Sequence, residues 1–231
     1  MTELTVLTYN VHGLKDDFAA LQRVIRESGA HVVCVQEAPK IFRWRARAAD
    51  LARRCGLVVV AGGGDAAGNL MLCDLAVTVH RARTLFLPYE LPSRPEIPQL
   101  RGAVVAELSL AGKRFTALGT HLSLHAEERA HQAGRLLGLV DPAEPPLVLA
   151  GDLNEPPGGP VSEVLAERLV DTAVAAGDPD TPTFSTWAPR RRIDHVWADP
   201  QLAVRKYTVL DSPDVRVASD HFPVRVTLDL G

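Results

Sequence analysis

The chain has 231 residues and a net charge of −3, from 25 lysines and arginines against 28 aspartates and glutamates, which argues against broad, nonspecific attraction to nucleic acid. Hydrophobic residues make up 46% of the chain, a share typical of a soluble globular protein with a sizeable core. No run approaches the length of a membrane span, and the first residues resemble no signal peptide. Three cysteines, an odd number set in or beside apolar segments, favour reduced thiols in a cytoplasmic protein over a disulfide framework: Cys34, Cys55 and Cys73.

Strands are predicted to alternate with amphipathic helices in the first part of the chain. Runs rich in β-branched residues predict strands over residues 4–9, 31–35 and 57–61. Apolar residues on one helical face predict helices over residues 16–28 and 41–54. We interpret the basic outer face of the second helix as a solvated surface, with steering of DNA or RNA as the alternative. Its arginines are Arg43, Arg45, Arg47, Arg53 and Arg54.

The remainder of the chain is predicted to be rich in strands. One or two strands are expected between residues 69 and 79, followed by a long proline-rich loop over residues 87–99. A hairpin is predicted from strands 103–110 and 114–120. The other expected strands are 145–150, 193–197, 203–210 and 224–230, and the other expected helices are 126–139 and 161–169. No repeat, linker or shift in composition divides the sequence, so we expect one domain over residues 1–231.

Chemically reactive side chains recur where apolar strands give way to polar residues. Each has an ordinary structural explanation, since Asp152 and Asn154 could cap a turn and Glu37 could pair with an arginine. Their recurrence favours a common site, because ligand sites in layered α/β proteins assemble at strand ends. The residues are Asn10, Glu37, His121, Asp152, Asn154, Asp194, Asp220 and His221.

The chemistry of this set favours metal-assisted hydrolysis. The sequence contains no Gly-x-Ser-x-Gly elbow and no Cys-x-x-Cys zinc spacing. Carboxylates and amides supply the oxygen ligands that Mg²⁺ or Mn²⁺ prefers, and histidines and amides contact anionic oxygens. Together they suit attack of water on a phosphate ester, where positioning and charge neutralisation dominate.

Six motifs in chain order resemble those of the endonuclease/exonuclease/phosphatase superfamily. They are Thr8-Tyr9-Asn10, Gln36-Glu37, Thr120-His121-Leu122, Gly151-Asp152-Leu153-Asn154, Arg192-Ile193-Asp194-His195 and Ser219-Asp220-His221-Phe222-Pro223. Each motif is weak alone, but the ordered set covers essentially the whole chain. The resemblance implies a DNase-like α/β fold, a four-layer α-β-β-α sandwich of two mixed β-sheets packed face to face with outer helices. It also implies Mg²⁺-dependent phosphoester hydrolysis.

The resemblance further implies which residues serve the metal and the attacking water. Glu37 is implied as the principal metal ligand, with Asn10 also at the metal. Asp152 is implied to orient or deprotonate the water. Asp220 either pairs with His221 or approaches the metal through water. Because Asp220 and His221 are adjacent, their side chains meet only if the backbone turns there.

Other residues are implied to contact the substrate phosphate. Asn154, His121 and His221 are the implied phosphate contacts, while Asp194 holds either a catalytic histidine or the metal shell. Arg101 follows the proline-rich loop and is a further candidate for the anionic substrate, with a surface salt bridge as the alternative.

Several features of individual subfamilies are missing. His12 stands where abasic-site endonucleases carry an acidic or amide residue, and their phosphate-site tyrosine and the inositol phosphatase signatures have no clear counterpart. Aromatic residues make up only 5% of the chain, which leaves few platforms for stacked bases. The run Arg190-Arg191-Arg192 could nevertheless steer DNA or RNA.

We therefore expect a monomeric phosphodiesterase or nuclease whose partner is a phosphate-ester substrate, with nucleic acid among the candidates. One alternative is a phosphomonoesterase that acts on a small phosphorylated metabolite or a lipid headgroup. The other is a non-catalytic binding module that keeps the fold. A chemically competent residue is retained at every motif, which favours the enzyme.

Overall fold

The computed structural model describes residues 1–88, 99–141 and 145–231. Twelve strands run through these ranges: β1 (Glu3–Asn10), β2 (Val32–Gln36), β3 (Val58–Gly63), β4 (Asn69–Cys73), β5 (Val77–Phe86), β6 (Gly102–Leu110), β7 (Lys113–His121), β8 (Leu147–Asp152), β9 (Val170–Asp171), β10 (Asp194–Ala198), β11 (Ala203–Val209) and β12 (Val224–Asp229). The α-helices are α1 (Phe18–Glu27), α2 (Trp44–Cys55), α3 (Ala126–Leu137), α4 (Pro160–Ala166), α5 (Thr172–Ala175) and α6 (Pro213–Ala218). None of these helices is long and apolar enough to cross a membrane.

The strands form two mixed sheets of six strands each. The first has the order β11-β12-β1-β2-β4-β3 and the second the order β5-β6-β7-β8-β10-β9. Within the first sheet β1 is parallel to β2 and antiparallel to β12, and within the second sheet β7 is parallel to β8 while β10 runs antiparallel to β8. The carboxyl ends of β1, β2, β7 and β8 therefore lie beside the amino ends of β10 and β12.

Apolar side chains form three separate hydrophobic cores, one between each pair of neighbouring layers. The central core lies between the sheets and joins residues such as Val6 and Cys34 to Phe115 and Val148. A second core packs α1 and α2 on the outer face of the first sheet, and a third packs α3 and α4 on the outer face of the second. This arrangement confirms the predicted four-layer sandwich. All three cysteines are buried and free, as expected from their apolar surroundings.

Helix boundaries follow local capping. The Asp17 side chain accepts a hydrogen bond from the Ala20 backbone N–H, so α1 begins after the pair of aspartates. α2 ends at Cys55 and is capped by Gly56, whose φ of 74° lies in the left-handed region. The predicted helix over residues 41–54 was wrong at its start, because Ile41 and Phe42 lie in the segment before α2.

Three short elements and most of β5 escaped the sequence-based prediction. β5 continues to Phe86, although most of its side chains are exposed and it carries arginines instead of an apolar face. β9 and α5 are too short to give a periodic signal. α6 has only six residues and is also too short to give a periodic signal. Before its first residue, the Ser212 side chain accepts a hydrogen bond from the Val215 backbone N–H. Most of the predicted loop over residues 87–99 lies outside the described residues.

Candidate active site

Asn10 joins the two sheets at the edge where the motifs meet. Its Nδ2 donates to Oε1 of Glu37 at 3.3 Å and to Oδ2 of Asp152 at 3.0 Å. Its Oδ1 accepts the backbone N–H of His12 at 3.1 Å, which fixes the orientation of the carboxamide. The Asn10 side-chain nitrogen thus donates hydrogen bonds to two carboxylates. That Asn10 also binds a metal through its side-chain oxygen stays a prediction.

Asp152 lies at the centre of this edge. It ends β8, where the strand registers place it opposite His121 of β7 and Asp194 of β10. The side chain is buried, and its Oδ1 accepts the Asn154 backbone N–H at 2.9 Å. β7 and β8 approach so closely that a Cβ at Gly151 would lie 2.0 Å from the Thr120 carbonyl oxygen. Glycine at this position is therefore a packing requirement.

Asp194 and His221 form a buried pair. Nδ1 of His221 lies 2.9 Å from Oδ2 of Asp194, and the backbone N–H of Asp194 donates to Oγ1 of Thr183. Burial alone would lower the pKa of His221, but the carboxylate of Asp194, reinforced by Asp152 and Asp220, raises it to about 9. His221 is therefore an imidazolium near neutral pH, with Nε2 3.8 Å from Oδ2 of Asp152.

His121 has the opposite electrostatic character. Its burial, together with the positive charge of Arg101, lowers its pKa to about 3 against the opposing effect of Asp152. The neutral ring accepts a hydrogen bond at Nε2 from Nδ2 of Asn154 at 3.0 Å. Asn154 donates its other amide hydrogen to the Leu122 carbonyl at 2.9 Å. Both hydrogens of this amide are engaged within the protein, so a phosphate contact from Asn154 requires one of them to be exchanged.

Asp220 is not the partner of His221. Its side chain is 29% exposed and its Oδ1 lies 3.9 Å from Nδ1 of His12, while His221 turns to Asp194. In the local backbone Ser219 Oγ accepts the His221 N–H, and the Asp220 and His221 side chains face different partners. The alternative in which Asp220 approaches a metal through water remains a prediction.

The candidate arginines differ sharply in accessibility. Arg101 is half-buried, with Nη2 on Oε1 of Gln99 at 3.0 Å and with Nε unpartnered among the described residues. Burial lowers the pKa of Arg101 below its usual value, against the opposing effect of the negative charges of Asp152, Glu37 and Glu128. The surface salt bridge considered for Arg101 is not present in the described part of the chain.

The suggestion that the run 190–192 steers DNA or RNA does not hold for Arg192, whose side chain is buried. This side chain is 1% exposed, its Nη2 lies 2.6 Å from Oδ2 of Asp171, and it also contacts His195. Arg191 lies over the Phe184 ring, 5.0 Å from its centroid. The basic face of α2 is exposed, as expected, and Asp50 pairs there with two arginines, Arg53 and Arg54.

The donor set fits a divalent cation that prefers oxygen ligands. One carboxylate oxygen each from Asp152 and Asp194 and one ring nitrogen of His221 lie within 4.8 Å of one another, and the carboxylates are the candidate ligands of this group because the His221 ring is protonated. The second oxygen of Asp194 is buried without a hydrogen-bond partner among the described residues, as a metal ligand would be in the metal-free protein. Glu37 follows β2 with a φ of 55°, a strained value for a non-glycine residue, and carries a further carboxylate to this edge.

Two residues that support the site carried no recognisable sequence signal. Thr183 accepts the backbone N–H groups of Ile193 and Asp194 with its hydroxyl. Phe184 lies against the imidazole of His221, with ring centroids 4.7 Å apart. Both belong to an irregular segment, where neither periodicity nor a motif indicates a contact.

Two packed six-stranded sheets with an acidic and histidine cluster at one edge define a DNase-like α/β protein. The sequence profile described as the Endonuclease/Exonuclease/phosphatase family matches residues 7–221, and the chain belongs to this family. A comparison of the sequence with curated proteins found no significant match.

Solved structures share the fold across the whole chain. An endonuclease/exonuclease/phosphatase from Bacteroides vulgatus has a TM-score of 0.83 and 19% identity, with 100% of each chain covered. D. rerio TDP2, determined with a single-strand DNA product, has a TM-score of 0.79 and 18% identity, covering 99% of this chain and 100% of that one. A mannosyl-6-phosphatase from Bacteroides thetaiotaomicron VPI-5482 has a TM-score of 0.78 and 18% identity, covering 98% and 99%. These likenesses establish the fold.

Proposed function

We propose that this protein hydrolyses phosphodiesters, nucleic acids among them, by in-line attack of water in a reaction that requires Mg²⁺ or Mn²⁺. The observation that carries the proposal is the convergence of Glu37, Asp152, Asp194 and His221 at one edge of the sandwich. Family membership supports phosphoester hydrolysis as the reaction class. The fold likeness to TDP2, a structure with bound single-strand DNA product, supports testing DNA.

The carboxylates of Glu37, Asp152 and Asp194 would hold the cation, with Asp220 joining through water. A bound Mg²⁺ or Mn²⁺ would neutralise phosphate charge and stabilise the developing charge on the leaving oxygen. Asn10 keeps two of these carboxylates at a fixed separation by donating to both.

Asp152 would orient the attacking water and take its proton. Its Oδ2 accepts from Asn10 and its Oδ1 from the Asn154 N–H, so the carboxylate cannot rotate freely. Each oxygen retains one further lone pair, so that one oxygen can serve the cation and the other can accept a hydrogen of the water. A carboxylate held in this way suits a positioned general base.

His221 would bind a phosphate oxygen through Nε2. The Asp194 carboxylate occupies Nδ1 and favours the charged ring, so Nε2 carries a proton to donate. Asn154 would contact the phosphate after releasing its hydrogen bond to His121, and His121 would donate to the phosphate from Nε2 in the tautomer that carries its proton there. Arg101 would add a positive charge on the same side, close to Asp152 and Glu37.

A substrate panel tests the proposal. Hydrolysis of bis(p-nitrophenyl) phosphate, p-nitrophenyl phosphate, single-stranded DNA and RNA is measured with Mg²⁺, with Mn²⁺ and with EDTA. We expect diester hydrolysis that EDTA abolishes and that Asp152→Asn and His221→Ala each reduce by roughly 10²-fold or more. Matched controls are Asp199→Asn, which changes an aspartate just beyond the far end of β10, and His131→Ala on the exposed face of α3. No hydrolysis of any substrate by the folded wild-type protein would overturn the proposal.

A further inference from the structure

An apolar pocket of about 620 Å³ lies between the amino-terminal ends of α1 and α2. It is lined by Leu14, Phe18, Ile41, Phe42, Arg43, Ala46, Arg47 and Asp50. We infer that this pocket binds an alkyl group attached to the substrate phosphate, so that the protein prefers alkyl-bearing phosphoesters. The inference rests on the proposed function, because the phosphate of such a substrate would occupy the cluster around Asp152.

Both walls of the pocket are attached to strands that carry site residues. Leu14 follows His12 by two residues, and the His12 backbone is held by Oδ1 of Asn10 at the end of β1. Ile41 follows Glu37 by four residues, a distance of at most ~14 Å in a fully extended chain. The short chain segments between the site residues and Leu14 and Ile41 therefore keep the pocket near the carboxylates.

The wall formed by residues 41 and 42 exposes apolar surface without a structural reason. Ile41 is 76% exposed and Phe42 84% exposed. The segment is nevertheless anchored, because the Trp44 ring lies so close to the glycine backbone that a Cβ on Gly63 would meet it at 2.4 Å. Covering these side chains with an apolar ligand removes surface from water and favours binding.

The lining also has the polarity that an anionic amphiphile needs. The Asp50 carboxylate forms ion pairs with Arg53 and Arg54, whereas Arg43 and Arg47 have no ion-pair partner in the described ranges. Two available cations at an otherwise apolar pocket complement a phosphate with a hydrocarbon chain. The walls formed by Leu14, Phe18, Ile41 and Phe42 offer no side-chain hydrogen-bond partner for the polar edge of a nucleobase.

Binding of non-hydrolysable phosphonates tests the inference independently of catalysis. Calorimetry with Mg²⁺ compares hexylphosphonate with methylphosphonate on the wild type, on the double variant Ile41→Ser, Phe42→Ser and on the control Leu75→Ser. Leu75 is 80% exposed in the turn between β4 and β5 and does not line the pocket. We expect hexylphosphonate to bind the wild type and the control at least ~10-fold more tightly than methylphosphonate, and the double variant to lose most of that preference. Phe42→Ala provides a milder variant if the double variant does not fold.

Equal affinity for the two phosphonates, or no binding of either, would overturn the inference. So would a wild-type dimer that dissociates in the double variant, or binding of the wild type to phosphatidylcholine vesicles that the double variant loses, since either result assigns the surface to another occupant. A preference for the hexyl group without any hydrolysis would reject the proposed function and leave the pocket established. Hydrolysis with the same KM for methyl and hexyl p-nitrophenyl diesters would reject the pocket and leave the function.

Discussion

The imidazole Nδ1 of His221 lies 2.9 Å from Oδ2 of Asp194, a residue 27 positions earlier in the chain. The contact crosses from the segment before β12 in one sheet to the first residue of β10 in the other. It fixes the ring and leaves Nε2 directed toward Asp152, at 3.8 Å from its Oδ2. The protonation of His221 therefore depends on the packing of the two sheets, which brings Asp194 to its ring.

Replacing Asp194 with asparagine removes the charge that keeps His221 protonated. The buried ring of Asp194→Asn then has a lower pKa than the value of about 9 in the wild type. Nitrogen-15 NMR of the histidine side chains, recorded in EDTA, measures this change. An unchanged His221 titration would contradict the assigned pairing.

The same pair predicts how stability depends on pH. A histidine whose folded pKa is raised contributes stability that is fully present below its unfolded pKa of about 6.5 and is lost as the pH rises through about 9. In EDTA, the difference in unfolding free energy between the wild type and Asp194→Asn should be largest below pH about 6.5 and shrink toward pH about 9. Urea unfolding at several pH values measures it, and a difference that grows with pH would be contrary to this account.

Gly151→Ala should destabilise the fold. The new Cβ would lie 2.0 Å from the Thr120 carbonyl oxygen, so β7 and β8 must separate at the strand ends that carry His121 and Asp152. We expect a loss of roughly 3 kcal/mol or more in urea unfolding, as for other backbone clashes in a core. Gly134→Ala in α3 is the matched control, because its Cβ would meet only a methyl group at 4.0 Å and alanine favours a helix. Equal stability of the two variants would count against the close approach.

The buried ion pair between Arg129 and Glu155 should matter far more than a surface pair. Nε of Arg129 lies 2.9 Å from Oε2 of Glu155, and both side chains are nearly buried. Arg129→Met leaves the carboxylate buried without its cation, which costs ~3–5 kcal/mol. The control Arg53→Met removes an arginine that is 71% exposed and should change stability by about 0.5 kcal/mol or less. Comparable losses of unfolding free energy in the two variants would show that Arg129 and Glu155 do not form a buried ion pair.

Asn10→Asp should couple stability to metal. The substitution replaces a donor shared by Glu37 and Asp152 with a third negative charge, so the metal-free protein should unfold at a lower temperature. Added Mg²⁺ should raise the unfolding temperature of this variant more than that of the wild type, because a ligand of the folded state stabilises it. Asn69→Asp is the control, since the Asn69 side chain donates hydrogen bonds to two backbone carbonyl groups elsewhere in the protein. Differential scanning fluorimetry measures both, and equal Mg²⁺ responses would argue against a cation at Asn10.

The sandwich was predicted from the family resemblance of the six motifs, whereas the residues at its edge were predicted from local signals. Apolar strands that end in polar groups mark an edge of a sheet whatever their partners are, and the family resemblance of the ordered motifs indicates that these ends meet. Asp194 and the pair Asp220-His221 precede or begin strands instead of ending them, but β10 and β12 run antiparallel to β8 and β1 and so start at the same edge.

The local signals did not predict which side chains at this edge pair with one another. Asp194 and Asp220 were equally plausible neighbours of His221, and only the backbone around Ser219 distinguishes them. Both amide hydrogens of Asn154 are committed within the protein, to His121 and to the Leu122 carbonyl, a detail that depends on tertiary contacts. The apolar pocket likewise forms where two helix ends meet, so residues such as Phe18 and Phe42 gave no joint signal in the sequence.

Hydrolysis of bis(p-nitrophenyl) phosphate in oxygen-18 water tests the central claim most directly. Water that attacks phosphorus leaves one labelled oxygen in the phosphate product, which mass spectrometry of p-nitrophenyl phosphate detects. We predict labelled product that forms with Mg²⁺ or Mn²⁺, is absent in EDTA and falls by roughly 10²-fold or more in Asp152→Asn. Unlabelled phosphate product, or labelled product formed equally well in EDTA and by Asp152→Asn, would contradict metal-assisted attack of water at this site.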